Sequence, residues 1–277
     1  MATRKSPSRT GSARRTSTAR TADTRVTETP VETVATVEAV EYSAERPGFY
    51  NRFPVAALIA EFLGTFAFVA FSVVTQINPL YAFFGLIGIV ALFGRLSGPH
   101  LNPAISIGAW LSRFISGRTA LFYVVAQILG GFAAFGILSL FNLSATTTDQ
   151  YTGAATAANL YSLPVLTASH QWVTFAAELI GAIILGYGVA TALSRRSTAV
   201  RAIAYAGSAL VASFIVYATG AFGVFNPVLA GGLKAYSHID WATFNLFPVL
   251  VYAIAPIIGA SLGFGLYRLL QRATVTE

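Results

Sequence analysis

Two asparagines carry the chemistry of this chain. Asn102 lies in Ser97-Gly98-Pro99-His100-Leu101-Asn102-Pro103-Ala104, and Asn226 in Asn226-Pro227-Val228. In each, the asparagine is suited to a helix N-cap and the proline to the first helical position, where a missing N–H is no loss. Each motif sits in an apolar region too short for a full membrane span. A helix that begins inside a membrane aims unpaired N–H groups and a partial positive charge at whatever it faces. Irregular backbone survives at that depth only when it is buried in protein or lines a water-filled cavity. Two such starts, one per half of the chain, suggest a pore.

The other polar residues in apolar surroundings are Glu61 and Glu178, the only carboxylates within the spans. An acidic residue at the centre of a span costs a few kcal/mol, so each needs a role. Two roles fit: a proton relay, or an acceptor for backbone N–H groups of the re-entrant loops. Little else could do catalysis. The chain has no cysteine, and His100, His170 and His238 lack metal-ligand spacing. Nucleophile-elbow, dinucleotide and phosphate-loop motifs are missing. The expectation is therefore no enzyme, no metal and no cofactor.

The elements that must position these residues follow from composition. Of 277 residues, 55% are hydrophobic and 10% charged, with mean hydropathy +0.64. Soluble domains carry about 25% charged residues. This is the profile of an integral membrane protein. Residues 1–52 differ, with basic residues from Arg4 to Arg52 scattered among Ser, Thr and Ala. Such a segment cannot bury enough apolar surface to order itself and reads as a disordered cytoplasmic tail attracted to anionic lipid. Its early Arg- and Ser-rich part also fits a targeting segment. No folded basic module backs it, so nucleic acid is not an expected partner.

Residues 53–271 form the expected channel domain. Full spans are predicted over Pro54–Gln76, Tyr81–Leu96, Thr119–Phe141, Trp172–Leu193, Val200–Thr219 and Phe244–Leu270, the last with Pro248 and Pro256 as kink points. Half-helices are predicted over Leu101–Arg113 and Phe225–Lys234. Asn78-Pro79 reads as an ordinary turn, and residues 142–170 as a long external loop. With the N-terminus in the cytoplasm, every Lys and Arg except Lys234 falls on the cytoplasmic side, as the positive-inside rule requires.

The two halves echo each other. Ala60-Glu61-Phe62-Leu63-Gly64 matches Ala177-Glu178-Leu179-Ile180-Gly181, and Ala126-Gln127-Ile128-Leu129-Gly130 matches Ala255-Pro256-Ile257-Ile258-Gly259. Repeat one spans about 53–141 and repeat two about 171–271. Three spans per repeat is an odd number, so the copies lie inverted in the bilayer, with the functional site at their interface near the midplane. The predicted fold is an all-α membrane protein of six transmembrane helices plus two re-entrant half-helices.

In these residues the chain resembles the aquaporin and glycerol-facilitator (major intrinsic protein) family: a glutamate opening each repeat, Ser97-Gly98 to Ala104, Gln127, and a second Asn-Pro, over roughly residues 54–270. The resemblance implies half-helices meeting end to end, packed through Pro103, Ala104, Pro227 and Val228. Asn102 and Asn226 would offer amide N–H groups to permeating molecules, and the helix dipoles would oppose cations and protons. It favours a supporting role for Glu61 and Glu178, aided by Gln127 and His100, with His100 also facing the pore. It further implies passage of water or small uncharged solutes, a homotetramer with one pore per protomer, and a plasma or cytoplasmic membrane location with both termini cytoplasmic.

Two departures stand out. Leu229 occupies the place of the family's usual constriction arginine, and Lys234, five residues on, is more than a helical turn further. The remaining constriction positions fall near Ala82, Phe214 and Gly223. A ring of Ala, Phe, Gly and Leu is wider and less polar, which predicts weaker water selectivity. Val228 adds two methyls where alanine is usual, so a neighbour must have shrunk. Competing readings are an occluded structural or regulatory protein of the same fold, and a proton-coupled transporter titrating Glu61 or Glu178.

Overall fold

Among the described residues, six long apolar helical stretches and two half-helices dominate the fold. A computed structural model describes residues 55–142, 146–148, 155–157, 162–239, 242 and 244–273. The tail read as disordered lies outside the described residues. The first repeat comprises α1 (Val55–Val74), α2 (Pro79–Ser97), α3 (Pro103–Leu111) and α4 (Gly117–Asn142). The second comprises α5 (Gln171–Leu193), α6 (Thr198–Tyr217), α7 (Pro227–Gly232), a 3₁₀ turn (Ala235–His238), α8 (Phe247–Val249) and α9 (Ala255–Ala273).

Among the described residues, α1, α2, α4, α5, α6 and the stretch Phe247–Ala273 are long and apolar enough to cross a membrane, at mean hydropathies of 1.7 to 2.1. Their outer faces stay apolar, as Leu92 and Phe132 illustrate at 72% exposed each. A helix apolar all round is a lipid-facing or fully buried one.

The repeat seen in the sequence is also a packing repeat. Helix α1 packs on α4 as α5 packs on α9, and α2 meets α6 across the repeats. At the equivalent crossings stand Gly130 and Gly259. A Cβ on Gly130 would strike the Phe62 carbonyl, and one on Gly259 the Leu179 carbonyl. Phe62 and Leu179 each follow the glutamate of their repeat. In lipid, where apolar burial drives no association between helices, such close backbone approach supplies the van der Waals contact that does.

Local chemistry adjusts the predicted boundaries. Asn78 caps α2, accepting from Leu80 N at 3.1 Å, with Pro79 in the first helical position. The second half-helix is shorter than predicted, ending at Gly232. Gly231 and Gly232 are poor helix formers, and Lys234 follows in the left-handed conformation at φ 58°. Between Pro248 and Pro256 the sixth span adopts a π-helical turn, Leu250–Ile254. Pro256 has no N–H for the Tyr252 carbonyl and its ring crowds it, so the ladder widens there. The predicted external loop carries a short antiparallel ladder, β1 (Thr146–Thr148) with β2 (Ala155–Ala157), in register at Thr147 and Thr156.

Candidate pore at the half-helix junction

Asn102 and Asn226 each begin a half-helix and each reach across to the other. Asn102 is extended at φ −161° and its Oδ1 accepts from Ala104 N at 2.8 Å. Asn226, at φ −142°, accepts from Val228 N at 3.0 Å and Leu229 N at 3.3 Å. Asn102 Nδ2 donates to the Phe225 carbonyl at 2.8 Å, and Asn226 Nδ2 donates to the Leu101 carbonyl at 3.0 Å. The two loops are thus cross-tied by reciprocal bonds. A primary amide has two N–H donors, so each asparagine retains one.

The residue before each asparagine is left-handed, Leu101 at φ 55° and Phe225 at φ 53°. Buried carboxylates hold those bends. Glu61 accepts from His100 N at 3.0 Å and Leu101 N at 2.8 Å; Glu178 accepts from Val224 N and Phe225 N, both at 2.7 Å. Neither glutamate is exposed at all. Bonds to a carboxylate are about twice as strong as neutral ones, which offsets the strain of the bend. Space is made by a glycine one turn after each glutamate. A Cβ on Gly64 would lie 2.5 Å from Leu101 Cδ2, and one on Gly181 would overlap the Phe225 ring.

The symmetry breaks at one point. Gln127 Nε2 donates to Glu61 at 2.7 Å and to Ser106 Oγ at 2.9 Å. The corresponding positions in repeat two are Pro256 and Ala230, which offer no such donor. His100 belongs to the same first-repeat network. Its Nδ1 lies 3.2 Å from Ser106 Oγ, its carbonyl accepts from Tyr205 OH at 2.7 Å, and its ring meets Tyr123 edge-on. His100 is buried and does not line the cavity described next, where it was expected to face a lumen.

A cavity of about 40 Å³ lies against the half-helix junction. A water needs about 10–15 Å³, so the space is wet in size. Asn102, Asn226, Leu229, Ala82 and Gly223 all line it. Phe214 does not. It points outward at 51% exposed, and Ser213, its neighbour on α6, faces the cavity in its stead. The cavity stripe of α6 is Tyr205, Ala209 and Ser213, spaced by four, a register that counting from the sequence missed by one residue. Ser72 also lines the cavity, and its Oγ has no hydrogen-bond partner. Nothing in the sequence singled out that serine.

Leu229 is 3% exposed, in the wall of the cavity, and Lys234 is exposed away from it. Among the described residues no cationic side chain lines this cavity. Around the half-helix ends, Pro103 and Ala104 are buried, while Pro227 and Val228 are half-buried. The shrunken neighbour of Val228 is Gly131 on α4, where an added Cβ would collide with Val228 Cγ1. Among the described residues no three His, Asp or Glu side chains gather as a metal site.

Comparison with known proteins agrees with this architecture. Residues 51–267 match the sequence model described as Major intrinsic protein. The chain is 28% identical over 246 residues to aquaporin AqpM of Methanothermobacter marburgensis, covering 76% of this chain and 96% of that one. It is 31% identical to the glycerol uptake facilitator protein of Pseudomonas aeruginosa, covering 76% of this chain and 87% of the relative. The X-ray structure of the aquaglyceroporin from Plasmodium falciparum superposes with a TM-score of 0.57 at 19% identity, over 80% of this chain and 99% of that one, a likeness of fold. The mirrored half-helices, their glutamate braces and the family match over residues 51–267, more than three-quarters of the chain, lead to one conclusion: this chain belongs to the major intrinsic protein family.

Proposed function

We propose that this integral membrane protein is a passive channel that passes small neutral solutes as well as water, with less preference for water than a pore guarded by arginine. Its family makes it a membrane channel for water or small solutes and not an enzyme. The finer reading rests on one observation: Leu229 stands in the cavity wall beside Asn226, where it offers neither charge nor hydrogen bond. A fixed guanidinium would bind hydroxyls and water and narrow the passage; a leucine does neither. The asparagine N–H groups and the half-helix ends then remain to oppose cations, and with the hydroxyls of Ser72 and Ser213 they orient a solute.

The transporter alternative is disfavoured by the glutamates. Glu61 and Glu178 are buried, and their carboxylate oxygens are engaged by the backbone that shapes the loops. Orientation with both termini in the cytoplasm, a plasma or cytoplasmic membrane location, and a homotetramer with one pore per protomer complete the proposal. Stopped-flow swelling of proteoliposomes tests it. Uptake of glycerol and urea, linear in gradient and independent of pH, is expected. Fast water flux with no solute uptake would refute the reading, and no flux of any kind from folded protein would leave the occluded structural protein.

A further inference from the structure

Beside the cavity at the half-helix junction lies a second, larger cavity of about 180 Å³. Three residues belong to both linings, Ile77, Ser213 and Gly223, and the neck is the place where they meet. Gly223 brings no side chain and Ser213 a small hydroxyl, so the bulk in the neck comes from Ile77.

Ile77 is held there by an unusual backbone. Helix α1 ends in a Schellman arrangement, with Gln76 N donating to Val73 O at 3.2 Å and Ile77 N to Ser72 O at 2.8 Å. That motif needs one left-handed residue, which Gln76 supplies at φ 54°. Ile77 follows at φ 50°, a second left-handed residue, and a β-branched side chain in that region is an outlier. Glycine would take this conformation freely but would leave the neck without its wall. Backbone strain of this kind clusters at functional positions.

We propose that Ile77, on the turn between α1 and α2, is the size-selecting residue of the passage, with Ser213 the hydrogen-bonding partner offered at the same level. The selective step then lies where Ile77 meets Ser213 and Gly223, and it admits slender neutral solutes over branched or longer ones. This assignment rests on the channel reading.

The test is full-length protein in liposomes, wild type against Ile77→Gly and Ile77→Trp, with water, urea, glycerol and erythritol as probes. Ile77→Gly relieves the left-handed backbone and is expected to fold, which its unfolding temperature in detergent checks. It is expected to raise erythritol permeability relative to water by about fivefold or more, since pore width sets the cut-off, and Ile77→Trp to lower glycerol flux by about tenfold. A conducting wild type whose solute cut-off is unchanged in Ile77→Gly overturns this assignment and leaves the channel reading intact. If folded wild type and Ile77→Gly both pass nothing, water included, the channel reading falls and takes this one with it.

Discussion

Val228 fills the space that a side chain at residue 131 would need: a Cβ built on Gly131 would collide with Val228 Cγ1. The extra methyls at the tip of α7 and the bare backbone of α4 are two halves of one packing solution. Gly131→Ala should therefore destabilise the protein by roughly 1–3 kcal/mol, the usual cost of overfilling a packed site. Combining it with Val228→Ala should restore most of that loss. Thermal unfolding of the four proteins in detergent measures the coupling, and additive effects would mean that the two residues do not share the space.

The glutamate braces differ in how many donors they hold. Glu61 has Gln127 Nε2 in addition to two backbone N–H groups, whereas Glu178 has the backbone pair at the equivalent place. Gln127→Leu should cost at least about 1.5–3 kcal/mol, the worth of its hydrogen bond to the charged Glu61 with the Ser106 bond lost besides, and leave the water-to-solute ratio unchanged. Glu178→Gln should cost more. Its amide NH₂ would face a backbone N–H that then has no acceptor, and the left-handed bend at Phe225 would lose half its hold. Unfolding temperature in detergent ranks the two variants. A Glu178→Gln protein of wild-type stability would contradict the bracing role.

Much of this architecture was legible because the physics involved is local or periodic. Span lengths follow from apolar runs, half-helix starts from Asn-Pro caps, and repeat pairing from Glu61 and Glu178 with Gly130 and Gly259, whose contacts are confined to their own repeats. What escaped was register and cross-repeat geometry. On a helix one residue turns a side chain by about 100°, which separates Ser213 in the cavity wall from Phe214 on the outer face. Both are compatible with an apolar span. His100 was expected both to support the first loop and to face the pore; its bonds to nearby Ser106 and distant Tyr205 belong to the scaffold, and it does not line the cavity. The cross-ties from Asn102 to Phe225 and from Asn226 to Leu101 depend on the end-to-end approach of two loops that no single segment encodes.

Replacing Leu229 by arginine should tighten the filter. The side chain would enter a cavity wall that holds no cation, within reach of a channel already supplied with Asn226 amide and Ser213 hydroxyl. Leu229→Arg is expected to reduce glycerol uptake by about tenfold, roughly 1.4 kcal/mol on the barrier, while water flux falls by less. Parallel swelling assays with sucrose, for water flow, and with glycerol separate the two effects. Equal loss of both would point to simple occlusion.

The absence of native cysteine makes the orientation of α6 directly testable. Ser213→Cys puts a thiol in the neck shared by the two chambers, and Phe214→Cys puts one on the outer face of the same helix, 51% exposed. A charged, membrane-impermeant methanethiosulfonate applied from outside reaches only thiols in contact with water, because the thiolate is the reacting species and lipid suppresses it. Flux through Ser213→Cys should fall by about tenfold on labelling, as a bulky group closes a passage this narrow. Flux through Phe214→Cys should be untouched, since its thiol lies on the outer face of the helix, away from the cavity. The reverse pattern would rotate α6 by one residue, returning Phe214 to the lumen and removing the hydroxyl from the neck.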